Sequence, residues 1–269
     1  MLAESEHAIG VFDWGVGGLT VVRELPRQLP CESLVYLGDT ARVPYGTKSP
    51  HTVLRYAQEA ARFLIAQRVK LLVVACNTAS AVALSTLAET YSLPVIGVIE
   101  PGACRALEVS RNRCIGVIGT EGTVRSGAYE RALKAGDPAV TVYSVPCPLF
   151  VPLAEEGWMN HPSAEMIAAD YLAPLLNQGV DTLVLGCTHY PLLKQTLQRV
   201  AGPGVQLIDS AEETAKLVAR ELHARSLQRP TAESLPTRYF VTDIPDRFER
   251  VGGSFLGAPL GVVTTVSLD

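Results

Sequence analysis

Eight short apolar runs, AIGVF, SLVYLGD, KLLVVACNT, PVIGVIE, RCIGVIGT, VTVYSV, DTLVLGCT and VQLID, recur along the chain, each followed by a segment with helical periodicity. Runs of Val, Ile and Leu without polar alternation suit strands buried on both faces. Their alternation with helices predicts an α/β fold built from parallel βαβ units. Ser49 and Pro50 form an N-cap and N1 pair for a helix reaching about Arg68, with Val53, Leu54, Ala57, Ala61, Leu64 and Ile65 on its inner side. Further helical signals cover 79–90, 121–135, 162–178, 190–200 and 211–228. The Pro-rich stretches 39–50 and 144–158 read as loops of the kind that line sites.

A weak internal repeat divides the chain. IGVFD at 9–13 resembles IGVIG at 115–119, and VVACNT at 73–78 resembles VLGCTH at 184–189 at nearly the same offset. The matching order of two strand types, each with a Cys in the second, predicts two half-chains of similar plan. A length of 269 residues also suits two domains. The expected division is 1–98 plus 209–269 for a discontinuous first α/β domain and 99–208 for the second, with the tail returning to the first half.

With 48% apolar and 19% charged residues the chain has a globular profile rather than a disordered or fibrous one. Its 23 Lys+Arg stand against 27 Asp+Glu, a formal charge of −4, and no basic run exceeds two residues. No electrostatic footprint for nucleic acid is present. No apolar stretch reaches the roughly 18 residues of a membrane span, and the opening MLAESEHA lacks signal-peptide features. A cytoplasmic protein without a membrane partner is expected.

Six cysteines lie far apart with no C-x-x-C pair, which predicts free thiols rather than a zinc site or disulfide framework. Cys76 and Cys187 each follow a Val- and Leu-rich run and precede a small polar residue. That places both beyond the carboxyl ends of strands, where ligands bind in parallel sheets and a helix terminus can lower a thiol's pKa. A single Cys there would more often be a small buried hydrophobe; two in equivalent places favour chemistry. Cys31, Cys104 and Cys114 suit packing or loop positions, and Cys147 lies between two prolines in a possible site loop. His189 could orient or protonate a neighbour, or simply cap a turn. Asp13 and Glu155 could tune a thiol or bind an ammonium, or be ordinary helix-terminus acids. The glycines of Gly15-Val16-Gly17-Gly18 could cradle an anion but complete neither a dinucleotide fingerprint nor a Walker A loop.

The segments FDWGVGGLTVVREL, YLGDTARVPYG, ACNTAS and GCTHYP, in this order and spacing, resemble the glutamate racemases of the cofactor-independent aspartate/glutamate racemase superfamily over nearly the whole chain. The resemblance implies two α/β domains facing each other across a substrate cleft, each presenting one catalytic cysteine, here Cys76 and Cys187. It makes Asn77, Thr78, Thr188, Tyr45, Gly46, Thr120 and Thr123 substrate contacts, and puts Asp13, Glu155 and His189 where the family keeps assisting polar groups. It further implies glutamate as substrate, no metal or other cofactor, a homodimer, and a role in supplying D-glutamate to peptidoglycan. Activation by a cell-wall precursor through an N-terminal extension is not expected.

Inverting Cα requires a base on one face and an acid on the other, which two opposed thiols supply. Hydrogen-bond donors must then stabilise the developing carbanion. One position departs from the family pattern: Asp-Ser-Gly is here Asp13-Trp14-Gly15, so a substrate-touching hydroxyl is replaced by an indole. Trp14 is read as a lineage variant with rearranged substrate contacts, for which Trp14→Ser should preserve or raise activity. Competing readings are racemisation of aspartate or another small acid, decarboxylation of a malonate-type acid, and a non-catalytic amino-acid sensor. A redox or zinc role for Cys76, Cys187 and His189 is a weaker one.

Overall fold

The computed structural model describes residues 4–43, 45–230 and 236–268. Its first sheet begins with β1 (Ala8–Asp13), β2 (Leu34–Gly38), β3 (Val69–Val74) and β4 (Val95–Gly97). The chain then builds a second sheet from β5 (Cys114–Gly119), β6 (Thr141–Pro146), β7 (Thr182–Gly186) and β8 (Gln206–Asp209), and returns to the first with β9 (Arg238–Val241) and β10 (Val263–Thr265). The strand orders are β10-β9-β2-β1-β3-β4 and β6-β5-β7-β8, every pairing parallel. All eight apolar runs therefore become strands. β1, β2, β3 and β7 are buried along their whole length, as a parallel sheet covered on both faces requires.

Helices fill the crossovers: α1 (Leu19–Gln28), α2 (Pro50–Ala66), α3 (Asn77–Thr90), α4 (Ile99–Val109), α5 (Glu121–Ser126), α6 (Ala128–Gly136), α7 (Phe150–Glu155), α8 (Pro162–Leu176), α9 (Lys194–Ala201), α10 (Ser210–Ala224) and α11 (Pro245–Leu256). Ser49 caps α2 by accepting from the Thr52 amide at 3.3 Å, with Pro50 at the first helical position. Its buried stripe is Val53, Ala57, Ala60, Ala61 and Leu64. Alternating strand residues supply the two faces of the first sheet: Val11, Tyr36 and Val73 join one core, and Phe12, Leu37 and Val74 the other. α10 packs on both α1 and α4.

Several local expectations need correction. The helix expected over 121–135 is broken at Gly127, whose φ of 64° ends α5 and starts α6. Such a left-handed cap is cheap only for glycine. α2 stops at Ala66, and Arg68 takes a positive φ before β3. The 144–158 stretch is not a loop throughout: β6 runs to Pro146, and α7 carries Glu155 as its last residue. The 190–200 segment opens as a 3-10 turn, Tyr190–Leu193, before α9. No helix among the described residues is long and apolar enough to cross a membrane.

Candidate active site

The carboxyl ends of the central strands of the two sheets meet. Cys76 follows β3 as the N-cap of α3, its Sγ accepting from the Ala79 amide at 3.3 Å. Cys187 follows β7 in the corresponding place, but the chain there turns through Thr188 and His189 into the 3-10 turn rather than a long helix. Both thiols are buried, and the charge on Cys187 acts on Cys76. Hydroxyls bridge the sheets: Thr78 Oγ1 lies 3.0 Å from Thr120 Oγ1 and 3.2 Å from Thr123 Oγ1. Gly46 approaches so closely that a Cβ there would sit 3.0 Å from the Thr120 side chain. The Thr20 hydroxyl donates to the Thr188 carbonyl at 3.1 Å, tying α1 to the far side.

Each thiol has its own ionisable neighbour. Asp13, at the end of β1, accepts the Gly18 amide at 2.7 Å on Oδ2, keeps Oδ1 buried without a hydrogen-bond partner among the described residues, and acts on Cys76 through its charge. Burial raises the Asp13 pKa, opposed by the charge of His189 and by the donors around it. Burial and then the Asp13 charge push the Cys76 thiol well up, outweighing the amides of Ala79 and Thr78. The lowering expected from a helix terminus is thus reversed here, because desolvation of a fully buried thiolate exceeds the stabilisation from two amides.

His189 sits opposite. Its Nε2 lies 3.1 Å from Glu155 Oε1, its Nδ1 3.9 Å from Cys187 Sγ and 3.4 Å from Thr188 Oγ1. Burial disfavours the imidazolium, yet the bonds to Cys187 and Glu155, with the charges of Cys187 and Asp13, raise its pKa from 6.5 to about 10. Burial works against the Glu155 carboxylate, but His189 and Arg247 hold its pKa below the ordinary value. Arg247 of α11 reaches Glu155 Oε2 at 3.1 Å.

Of the remaining residues singled out in the sequence, Tyr45 is buried with its hydroxyl on Asp39, and Asn77 Oδ1 accepts from Tyr129 at 2.7 Å. Asn77 Nδ2 is buried without a hydrogen-bond partner among the described residues. Trp14 is buried against His189, with ring centroids 5.3 Å apart and planes 25° apart. Cys147 lies behind the site, its carbonyl accepting from Tyr190 at 2.8 Å. Two polar partners were not anticipated. Asp39 is buried, pairs with Arg42 at 2.8 Å and accepts from Thr242 at 3.0 Å, while Tyr129 orients Asn77. The strand-end position of Asp39 in YLGD, parallel to Asp13 in AIGVFD, was the available signal for the former. Nothing local marked Tyr129, whose partner is 52 residues away.

Two buried thiols on facing sheets, with hydroxyl and amide groups between them, form an arrangement that suits proton exchange at a carbon. A family model for Asp/Glu/Hydantoin racemase matches residues 9–218. The chain belongs to this family. The membership makes it an enzyme, a racemase of the isomerase class. It is 59% identical to a glutamate racemase of Geobacter metallireducens over 262 residues, 97% of each chain. Among solved racemases of this family, isoform RacE1 of Bacillus anthracis superposes with a TM-score of 0.94 at 41% identity, covering 98% of both chains. The glutamate racemase of Francisella tularensis in complex with D-glutamate gives a TM-score of 0.92 at 39% identity, covering 98% of this chain and 99% of that one.

Proposed function

We propose that this racemase interconverts L- and D-glutamate without a cofactor, by proton exchange at Cα between Cys76 and Cys187, and so supplies D-glutamate for peptidoglycan. The observation that carries the reading is the pair of buried thiols at equivalent strand ends of two facing sheets, each beside its own ionisable partner. In one direction the Cys187 thiolate, faced by the His189 imidazolium, takes the Cα proton. The Cys76 thiol then delivers its proton to the opposite face of the carbanion, and the thiolate and thiol have exchanged places. The other enantiomer reverses the roles. General acid–base groups supply about 10² to 10⁴ each, so the carbanion needs electrostatic help as well. Tyr45, Thr78, Thr120, Thr123 and Thr188, the unpaired Nδ2 of Asn77 and the backbone of Gly46 are the groups assigned to the substrate's carboxylates. Glutamate as substrate is supported by the names of the relatives and by the D-glutamate held in the Francisella structure.

The reading includes a first domain of 1–98 plus 209–269 and a second of 99–208, supported by the return of β9 and β10 to the first sheet. It also includes a cytoplasmic homodimer, which sedimentation at assay concentration tests. In deuterated solvent, turnover should place deuterium at Cα of the enantiomer formed. Cys76→Ser and Cys187→Ser should each lower racemisation by about 10³-fold or more. Full racemisation in either variant would rule out the two-thiol scheme, and a preference for aspartate in a substrate panel would rule out glutamate.

A further inference from the structure

Trp14 follows Asp13 at the start of the β1–α1 loop, and the structure gives its buried indole a partner that no substrate contact requires. His189 is wholly buried, and both its ring nitrogens are engaged at the edges of the ring, Nε2 by Glu155 and Nδ1 by Cys187 and Thr188. What remains is the ring's flat surface. Trp14 stacks there, and Phe255 of α11 meets the ring near-perpendicularly, with centroids 5.0 Å apart. A cation within about 6 Å of an indole centroid is attracted by the ring's quadrupole, more strongly when water is excluded. The backbone fixes this approach: a Cβ at Gly17 would lie 2.2 Å from Thr188 Oγ1 and 2.6 Å from the His189 ring, so the β1–α1 loop is pressed against the imidazole.

We propose that Trp14 is a positioning residue for His189: its indole fixes the plane of the imidazole between Cys187 and Glu155 and favours its cationic form. The proposal rests on the two-thiol reading for its effect on turnover, though not for the stack itself. The charged and titratable groups facing the imidazole are Cys187 from the β7 turn, Glu155 from α7 with Arg247 of α11 behind it, and Asp13 from the end of β1. None is supplied by Trp14, so the aromatic contribution can be changed while they stay in place. On this proposal Trp14→Ser loses a ring contact as well as gaining a hydroxyl, so its activity should fall, where the sequence reading expects it to be preserved or raised.

The test uses a Trp158→Phe chain, because Trp158 is the only other tryptophan and stacks on His161. Trp14 is replaced biosynthetically by mono-, di- and trifluorotryptophan, which weaken the ring quadrupole without changing its shape. The ¹³Cε1 resonance of His189, assigned with His189→Gln, is followed against pH. Its pKa should fall stepwise, by about half a unit or more across the series. The kcat should fall about 3- to 10-fold in the direction where Cys187 takes the proton, and less in the other. Trp14→Leu should give the largest shift, and Trp14→Phe should restore most of it. Should Trp14→Leu not fold, the fluorinated series still decides. An unchanged His189 titration across that series overturns the proposal, whatever the activities. A native chain that leaves no deuterium at Cα instead overturns the two-thiol reading, while the titration continues to judge the stack.

Discussion

At the scale of single residues, Cys76 and Cys187 carry unlike neighbours, so their two half-reactions should respond differently to pH. The Asp13 charge helps to hold the Cys76 thiol up. Asp13→Asn keeps an acceptor for the Gly18 amide but removes that charge. The limb of kcat/KM that reports Cys76 ionisation should then move to lower pH, as the acid limb in the direction where Cys76 takes the proton and as the alkaline limb in the direction where it delivers one. Identical profiles in both directions would contradict the pairing. Stability follows from His189 and Glu155. A histidine raised from 6.5 to about 10 adds stability that is complete below about 6.5 and lost as pH rises through about 10. Glu155, held below its ordinary 4.5, adds stability above that value that is lost as pH falls. Urea unfolding should therefore show a maximum between about pH 5 and 6.5, with on the order of 1–3 kcal/mol lost by pH 10. His189→Gln should flatten the alkaline decline; an equal decline in that variant would assign it elsewhere. The two cysteines were legible in the sequence because each ends an apolar run in a repeated context. Their settings were not legible: the burial that lifts Cys76 comes from both sheets together, and the partners of His189 and Asn77 lie 34 and 52 residues away.

Elements carry the site through their ends, which makes the β1–α1 loop more consequential than its length suggests. Gly17→Ala would place a methyl inside the space of Thr188 and His189, and the far contact is a backbone-anchored turn rather than a flexible tip. The loop or the turn must then shift. Activity should fall by about 10²-fold, since displacements of about 1 Å at catalytic groups have that cost, while Tm changes by only a few degrees. Near-native activity would mean that the two loops are free to separate. At the start of α10, Asp209 accepts the Ala211 amide at 2.9 Å, but burial raises its pKa to about 6 despite Lys194 nearby. A raised acid favours folding below its unfolded value of 3.8 and loses that advantage as pH passes through about 6. Asp209→Asn keeps the cap and removes the buried charge, so it should raise stability at pH 8 by about 1–2 kcal/mol, raise it by about half as much at pH 5 and leave pH 3 nearly unchanged. β1, β2, β3 and β7 were readable because burial on both faces leaves an uninterrupted apolar signature, and the edge strand β6, which buries no residue fully, was readable only from its short Val-rich run. β9 and β10 were not: they are only four and three residues long, and β10 is the largely exposed edge strand. α7 was hidden by Pro146 and Pro148 just before it and Pro152 within it, and α11 by Gly252 and Gly253; Pro152 and the two glycines mark loops in sequence yet are accommodated in these short helices.

For the whole molecule, the burial of the chemistry sets a condition on turnover. Cys76, Cys187, Asp13 and His189 expose at most 3% of their surface. Threonine hydroxyls from the two sheets are already in contact at 3.0 Å. A dicarboxylate cannot reach the thiols in this arrangement, so the facing strand ends must part to admit it. The chain passes between the sheets at α4 and again after β8 at α10, and α4 and α10 pack on each other. Movement is therefore expected to leave this helix pair together while the β1, β3, β5 and β7 ends separate. Alkylation with iodoacetamide reads that opening directly. Cys104, exposed on α4, should react first even though burial and then the Glu100 and Glu108 charges push its thiol up. Cys76 and Cys187 should be alkylated about 10²-fold or more slowly, at rates set by the population of the open form. Glutamate should slow both together, since a bound substrate favours the closed arrangement, and leave Cys104 unaffected. Peptide mapping by mass spectrometry separates the sites. Reaction of the two buried thiols as fast as Cys104 without glutamate would show that the strand ends stand apart at rest, and protection of only one would show that the two sides open independently.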